Sequence, residues 1–369
     1  MRVALVHDWL VTMGGAERVL EEIAKMYPDA PIYTGVVDHK RLSPYLKTRQ
    51  IIPTLVQNWP KATRFYNRYL PLLMYGFEQL DLSHYDLVIS SSAAVAKGVI
   101  TRAETLHVSY VHTPMRYAWD LYHEYQRLEA RGISRKLMGP VFHYMRLWDR
   151  VATDRVDVLI ANSTTVRSRI QKHYRRPAVV IHPPVSVARY SLMEPIQDYY
   201  LVLSRLVSYK RIDLAIDACN ALKLPLWVAG DGPERARLER RAGPTIRFLG
   251  PVPESSLGTL MGQAQALLFP GEEDFGIVPV EMQASGRPVI AFHRGGVRDT
   301  VIPDHTGILF PEQTVEDLVG AIEQFRTMIW DSVAIREHAQ QFNPDRFRAQ
   351  FLPVINQALT LHQEGLGLT

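Results

Sequence analysis

The stretch FPGEEDFGIVPVEMQASGRPVIAF, residues 269–292, sets Glu273 and Glu281 with seven residues between them, on either side of Phe275-Gly276. It continues an apolar run, ALLFP (266–270), and ends in another, PVIAF (288–292). Both runs are short and contain no polar residue, the pattern of strands buried on both faces. Between them, 270–276 reads as a loop and 278–285 as a short helix, closed by Gly286 with Pro288 beyond it. Strand, loop, helix, strand is the repeating unit of a parallel sheet. In this reading Glu281 falls in the first helical turn, and the backbone N–H groups of the turn stand between two carboxylates. Donors alternating with acceptors suit a polyhydroxyl ligand.

The same unit recurs in both directions along the chain. Towards the N-terminus of the second half lie YLVLSRL (200–206), LPLWVAG (224–230) and IRFLG (246–250). The first half carries VALVH (3–7), IYTG (32–35), DLVISS (86–91), HVSYVH (107–112) and VLIANS (158–163). Helical patterns separate them, which predicts two doubly wound α/β domains. At 369 residues, two domains are also what chain length suggests. Residues 179–195 hold three prolines and no clear periodicity, so they read as a linker. The expected boundaries are 1–183 and 184–344, with a C-terminal helical segment at 345–369.

Composition narrows the class. The chain is 47% hydrophobic and 22% charged, as a soluble globular protein is, and no run of 18 apolar residues could span a bilayer. MRVALVHDWL lacks the pattern of a cleavable export signal. The single cysteine, Cys219, excludes a disulfide framework and fits a reducing, cytoplasmic compartment. It lies in the helical pattern IDLAIDACNAL, where a core thiol is expected. Residues 1–185 hold 25 Lys/Arg against 16 Asp/Glu, a net +9, and the remainder 17 against 22, a net −5. A basic half implies an anionic surface or substrate.

The chemistry-bearing residues fall at predicted strand ends, where ligands of doubly wound sheets bind. Gly14-Gly15 follows the first strand, and such glycines let backbone N–H groups approach a phosphate, although a plain tight turn explains the pair equally well. Arg205 and Lys210 follow the first strand of the second half and can neutralise a diphosphate, or can be ordinary surface charges. His112 ends HVSYVH, a position that structural histidines also occupy. His7 and Asp8 end the first strand with no assigned role. No Asp-x-Asp metal motif occurs.

Taken together, EDFGIVPVE resembles the E-x7-E signature of retaining GT-B-fold glycosyltransferases of family 4, which use nucleotide sugars. GGAE (14–17), HTP (112–114), IANS (160–163), SRL with Lys210, GDG (230–232) and RGG (294–296) extend the resemblance over nearly the whole chain. HTPMRYAWDL and IHPPV are similar to the O-antigen and exopolysaccharide mannosyltransferase branch. The resemblance implies that Arg205 and Lys210 hold the donor diphosphate and that Glu281 accepts from the ribose hydroxyls. It implies that Glu273 lies by the transferred sugar, with the N–H groups around Phe275, Gly276 and Ile277 on sugar and phosphate. It further implies that His112 contacts the sugar, that Gly15 approaches phosphate or acceptor, and that Val252 lines the base pocket through its backbone. The donor would be GDP- or UDP-linked and the acceptor a saccharide or a lipid-linked one, with no metal, no cofactor and no nucleic acid. The C-terminal segment would pack back on the first domain. After RGG, Val297-Arg298-Asp299 replaces the commoner small-Pro-Glu, which leaves Asp299 without a transferable role.

Other classes share parts of this pattern. A nicotinamide dehydrogenase would carry G-x-G-x-x-G, absent here after the first strand. A nucleotide-sugar epimerase or hydrolase would turn over without an acceptor. A non-catalytic membrane-binding protein would explain the basic half but not the glutamate pair. Residues 59–80, WPKATRFYNRYLPLLMYGFEQL, read as helix, with Lys61, Arg64 and Arg68 on one face and an apolar stripe beside them. Pro71 predicts a kink or two shorter helices. A solvated helix face accounts for the pattern, and so does a peripheral site on an anionic membrane.

Overall fold

The computed structural model describes residues 1–123 and 133–365. Two compact units share the chain: Met1–Pro183 with Phe347–Thr369, and Pro184–Arg346.

The first unit is built on seven strands, β1 (Val3–His7), β2 (Ile32–Thr34), β3 (Ile51–Pro53), β4 (Leu87–Ser92), β5 (Leu106–Val111), β6 (Val158–Ala161) and β7 (Val179–Val180). They pair in the order β3-β2-β1-β4-β5-β6-β7, every pair parallel. Alternate residues serve opposite faces. Leu5, Ile89 and Val108 pack against Val19, Leu20 and Ile23 of the helix Gly15–Met26, while Ala4, Val6 and Val88 pack against Leu73, Met74 and Phe77 on the other side. This double burial is why the strands are continuously apolar. The C-terminal segment is one helix, Pro344–Gln363, and it places Phe347, Phe351, Ile355 and Ala358 in the core of the first unit. Residues 366–369 lie outside the described ones.

The second unit holds β8 (Tyr200–Leu203), β9 (Leu226–Ala229), β10 (Ile246–Gly250), β11 (Leu267–Phe269), β12 (Val289–Phe292) and β13 (Gly307–Phe310). Their order is β10-β9-β8-β11-β12-β13, again all parallel. Val202, Val228, Leu268 and Ile290 face one helical layer that includes Ile216 and Cys219; Leu201, Leu267, Val289 and Ala291 face another that includes Val280 and Met282. Cys219 is buried and its thiol is pushed up to about 12 by that burial. The strand order reverses between β1 and β4 in one unit and between β8 and β11 in the other, the switch points at which such sheets open a crevice.

Three local expectations need correction. The 179–195 segment is not wholly linker, because Val179 and Val180 add an edge strand beside β6. Residues 59–80 do form two shorter helices, Ala62–Phe65 and Leu70–Glu78, but the break is the 3-10 stretch Tyr66–Tyr69 and not Pro71. Pro71 sits in the first turn of the second, where its missing N–H costs nothing. The short helix after the glutamate loop is Ile277–Ala284, so Glu281 is its fifth residue and belongs to the second turn, not the first.

Candidate active site

In the second unit the sequence motifs meet at the carboxyl ends of β8, β9, β11 and β12. Ser204 to Lys210 leave β8, ending in a 3-10 turn at Ser208–Lys210. Gly230 leaves β9 with φ +122°, and a Cβ there would lie 1.9 Å from the Ser204 carbonyl oxygen. Leu206 N–H donates to the Asp231 carbonyl at 3.0 Å. The SRL and GDG segments therefore run backbone against backbone, and only a residue without a side chain fits between them. The glutamate loop is held in the same manner. Gly296 N–H donates to the Glu273 carbonyl at 2.8 Å, and a Cβ on Gly296 would fall 2.2 Å from the Phe275 Cα. Here RGG finds its physical meaning: its glycines let the chain after β12 lie directly on the loop after β11.

This packing joins two of the singled-out side chains. Lys210 Nζ donates to Glu273 Oε1, and the ammonium lies 5.4 Å from the Tyr209 ring centroid. Arg205, at the same strand end, is exposed and forms no ion pair among the described residues. Glu281 is buried, 5% exposed. Its electrostatic neighbour is Arg189, whose guanidinium is raised above its ordinary pKa chiefly by the hydrogen bond it donates to the Glu254 carboxylate and, least of the causes, by Glu281. Sequence reasoning missed Arg189, which sits in the segment read as linker. Phe275 points inward, its ring 5.7 Å from that of Phe342, so only its backbone faces outward chemistry. Gly276 (φ +87°) caps the helix Ile277–Ala284, whose first N–H groups have no acceptor within the helix. Val252 is half-buried beside the core after β10.

The first unit gathers a second polar cluster at the ends of β1, β4 and β5. Ser91 Oγ lies 2.7 Å from His112 Nε2 and 3.1 Å from His7 Nδ1. Burial, then His7, lowers the His112 pKa to about 3. Asp8 serves the backbone. Its carboxylate accepts from the backbone N–H groups of Ala93 (2.5 Å), Ala94 (3.1 Å), Val95 (2.7 Å) and Ala96 (2.7 Å), which fastens the turn after β4. No sequence signal marked this, since donor and acceptor are more than 80 residues apart. Gly15 opens the helix Gly15–Met26, but the preceding Gly14 N–H is taken by Glu17 Oε2 at 2.8 Å. A buried carboxylate at that turn disfavours a phosphate there. Among the described residues no group of three or more His, Cys, Asp or Glu is placed to hold a metal ion.

Two family models tile this chain. Residues 13–189 match Glycosyltransferase Family 4, and residues 193–341 match Glycosyl transferases group 1. The chain belongs to the GT-B glycosyltransferases of family 4 type. This glycosyltransferase is 25% identical to the alpha-1,3/1,6-mannosyltransferase alg2 of Schizosaccharomyces pombe, over 94% of its own length and 78% of the relative's. It is 31% identical to a GDP-mannose-dependent alpha-mannosyltransferase of Mycobacterium tuberculosis, over 44% and 42%. Its fold is shared with sucrose-phosphate synthase of Thermosynechococcus elongatus (TM-score 0.73, 17% identity, 98% and 100% covered). It is shared equally with Anabaena HepE in complex with UDP (0.70, 18%, 97% and 100%).

Proposed function

We propose that this glycosyltransferase moves a hexose, mannose in preference, from a GDP- or UDP-linked donor to a saccharide or lipid-linked acceptor in cell-surface polysaccharide synthesis. The observation that carries the reading is the contact of Lys210 with Glu273 at the crevice of the second sheet. In this reading the cation serves the leaving diphosphate and the carboxylate the sugar hydroxyls, and the bond to be broken joins those two groups. Mannosyltransferases among the relatives support the choice of sugar.

In this proposal Arg205 and Lys210 bind the diphosphate, Glu281 accepts from the ribose, and Val252 lines the base pocket. The N–H groups of Phe275, Gly276 and Ile277 hold sugar and phosphate. His112 contacts the transferred sugar, and Gly15 serves the acceptor side. The acceptor hydroxyl attacks C1 from the face the diphosphate leaves. The new O–C1 bond forms as the C1–O bond to the diphosphate breaks, and the hydroxyl proton passes to the leaving phosphate oxygen. Anomeric configuration is thereby retained. Charge grows on the diphosphate as the bond breaks, so cations fixed beforehand favour the transition state over the ground state. With two cations assigned to that charge, the proposed step needs no metal. The basic half, with Lys61, Arg64 and Arg68 all exposed, is proposed to rest on an anionic membrane at the cytoplasmic face.

The test is a screen of nucleotide sugars by thermal stabilisation, followed by a transfer assay with and without EDTA. Transfer with a retained anomer, unaffected by chelator, is expected. An inverted product, or activity abolished by EDTA and restored by magnesium, overturns the mechanism. Turnover of the donor to an epimer without acceptor overturns the transferase reading itself.

A further inference from the structure

His112 is held by more of the first unit than a sugar-contacting residue requires. Its N–H donates to the Ser92 carbonyl at 2.8 Å, and its carbonyl accepts from Asn162 Nδ2 at 2.9 Å. Its Nε2 meets Ser91 Oγ at 2.7 Å, and on the far side that hydroxyl meets His7 Nδ1 at 3.1 Å. His7 is 2% exposed, Ser91 1% and His112 9%. The arrangement follows from strand register: His7 of β1 and Ser91 of β4 are direct partners, and Ser91 is in turn the partner of Tyr110, two residues before His112. The Tyr110 ring packs on the imidazole with centroids 5.2 Å apart, but its hydroxyl donates to the Ile181 carbonyl, so it stays outside the chain of bonds. Asp8, the nearest acid along the chain, is committed to four backbone N–H groups.

A serine hydroxyl has one proton to give and lone pairs to receive. Where Ser91 donates to His112 Nε2, it accepts from His7 Nδ1–H, and the proton of neutral His112 sits on Nδ1. Where Ser91 donates to His7, His112 Nε2 carries the proton and Nδ1 becomes an acceptor. The tautomers of the two rings are thus coupled through one shared hydroxyl, and the free nitrogen of His112 takes its hydrogen-bonding sense from His7. We propose that His7 is a positioning residue that acts through Ser91 to select the tautomer and fix the ring plane of His112. The proposal rests on the reading of His112 as the contact to the transferred sugar. It adds two residues, on two other strands, to the machinery behind that contact.

The test compares His7→Phe, which keeps a ring and removes the nitrogen, with His7→Asn, which returns an amide near the Nδ1 position, and with Ser91→Ala. Transfer should fall on the order of 10-fold or more in His7→Phe and Ser91→Ala, as for outer partners that orient a histidine elsewhere, and recover in His7→Asn. The loss should lie in kcat, with nucleoside diphosphate affinity unchanged, because the nucleotide residues belong to the other unit. In protein labelled with 15N-histidine, the His112 ring shifts should leave a single-tautomer position in Ser91→Ala, a readout that needs no activity and that simple loosening of the fold does not mimic. His112→Ala is the control on the parent reading. If it lowers transfer while His7→Phe and Ser91→Ala change neither kcat nor the ring shifts, the relay is wrong and the sugar contact stands. If His112→Ala transfers normally, the sugar contact falls and the relay falls with it.

Discussion

Single residues of this site divide by what they hold. Glu281 is buried in the second turn of its helix, whereas Glu273 is paired with Lys210 at the loop, and the proposal makes the first the acceptor for the ribose. Glu281→Ala should therefore weaken donor and free nucleoside diphosphate together, by about 1.5–3 kcal/mol for a charged hydrogen bond. Glu273→Ala should lower transfer while leaving nucleotide affinity nearly intact. Calorimetric titration separates the two, and unchanged nucleotide affinity in the Glu281 variant removes the ribose assignment. A second consequence concerns acid. Burial lowers both His107 and His112 to about pH 3, and His338 is lowered as well. Unfolded histidine binds a proton near pH 6.5, so between pH 6.5 and 3 the unfolded chain holds more protons than the folded one. Stability is fully present above pH 6.5 and declines as pH falls towards 3, at about 1.4 kcal/mol per pH unit for each such histidine. Urea unfolding between pH 7.5 and 5 should show it, and His107→Gln, which keeps a partner for Ser90, should remove about one proton from the slope. An unchanged slope in that variant contradicts a neutral, buried His107. At this scale much of the site was legible: Lys210, Glu273 and Glu281 stood out by type and spacing. Asp8, Ser91 and Arg189 did not, because their partners are distant in sequence and their residue types are commonplace.

Elements were legible in proportion to their burial. All ten strands read from the sequence exist, since an apolar run buried on two faces leaves a continuous signal. The three that were not read, β3, β7 and β13, are short or contain Pro53 or Gly307 and pair at or beside sheet edges. In the 59–80 segment the two shorter helices were legible from Pro71, but the place of the break was not, because the charges keep helical spacing through Tyr66–Tyr69, which tighten into a 3-10 stretch. Glycine in RGG was visible as a motif but not as a cause. Its cause is the contact of Gly296 with Phe275, and that yields a paired prediction. Gly296→Ala must displace the glutamate loop, at about 1–3 kcal/mol of stability as for other overpacked sites, with donor affinity falling alongside. Gly320 lies exposed within the helix Val315–Thr327 with nothing within 4 Å of an added Cβ. Gly320→Ala should therefore stabilise by about 1 kcal/mol, the helix-propensity difference, with no effect on transfer. Thermal melts of both variants check the pair; equal and opposite signs from those stated would mean that backbone proximity is not what keeps glycine at 296.

Over the whole molecule the charge is divided, +9 on residues 1–185 and −5 on the rest. A uniformly mixed surface would serve solubility equally well. The positive half includes the surface proposed above to meet an anionic membrane. Lys61, Arg64 and Arg68 are exposed, and the Arg64 and Arg68 guanidinium groups lie 5.4 and 4.7 Å from the Phe65 ring centroid. Trp59 and Tyr75 expose large aromatic area in the same segment, with the Trp59 ring 5.6 Å from Tyr69. Cations beside half-exposed aromatic rings suit the boundary between lipid headgroups and acyl chains. Breaking the segment into three short pieces does not remove that chemistry, because all three cations remain on the surface. Basic residues near an anionic bilayer contribute roughly 1 kcal/mol each and are screened by salt. The protein should sediment with anionic but not neutral vesicles, less so as salt rises. The combined change Lys61→Glu, Arg64→Glu and Arg68→Glu should abolish most of that binding, since it reverses three charges at one place. Transfer to a lipid-linked acceptor should then fall while donor hydrolysis is unchanged, because the residues assigned to the donor lie in the acidic unit. If the variant sediments as the parent does, the segment is a solvated surface and the charge division has another partner; the glycosyltransferase reading does not depend on it.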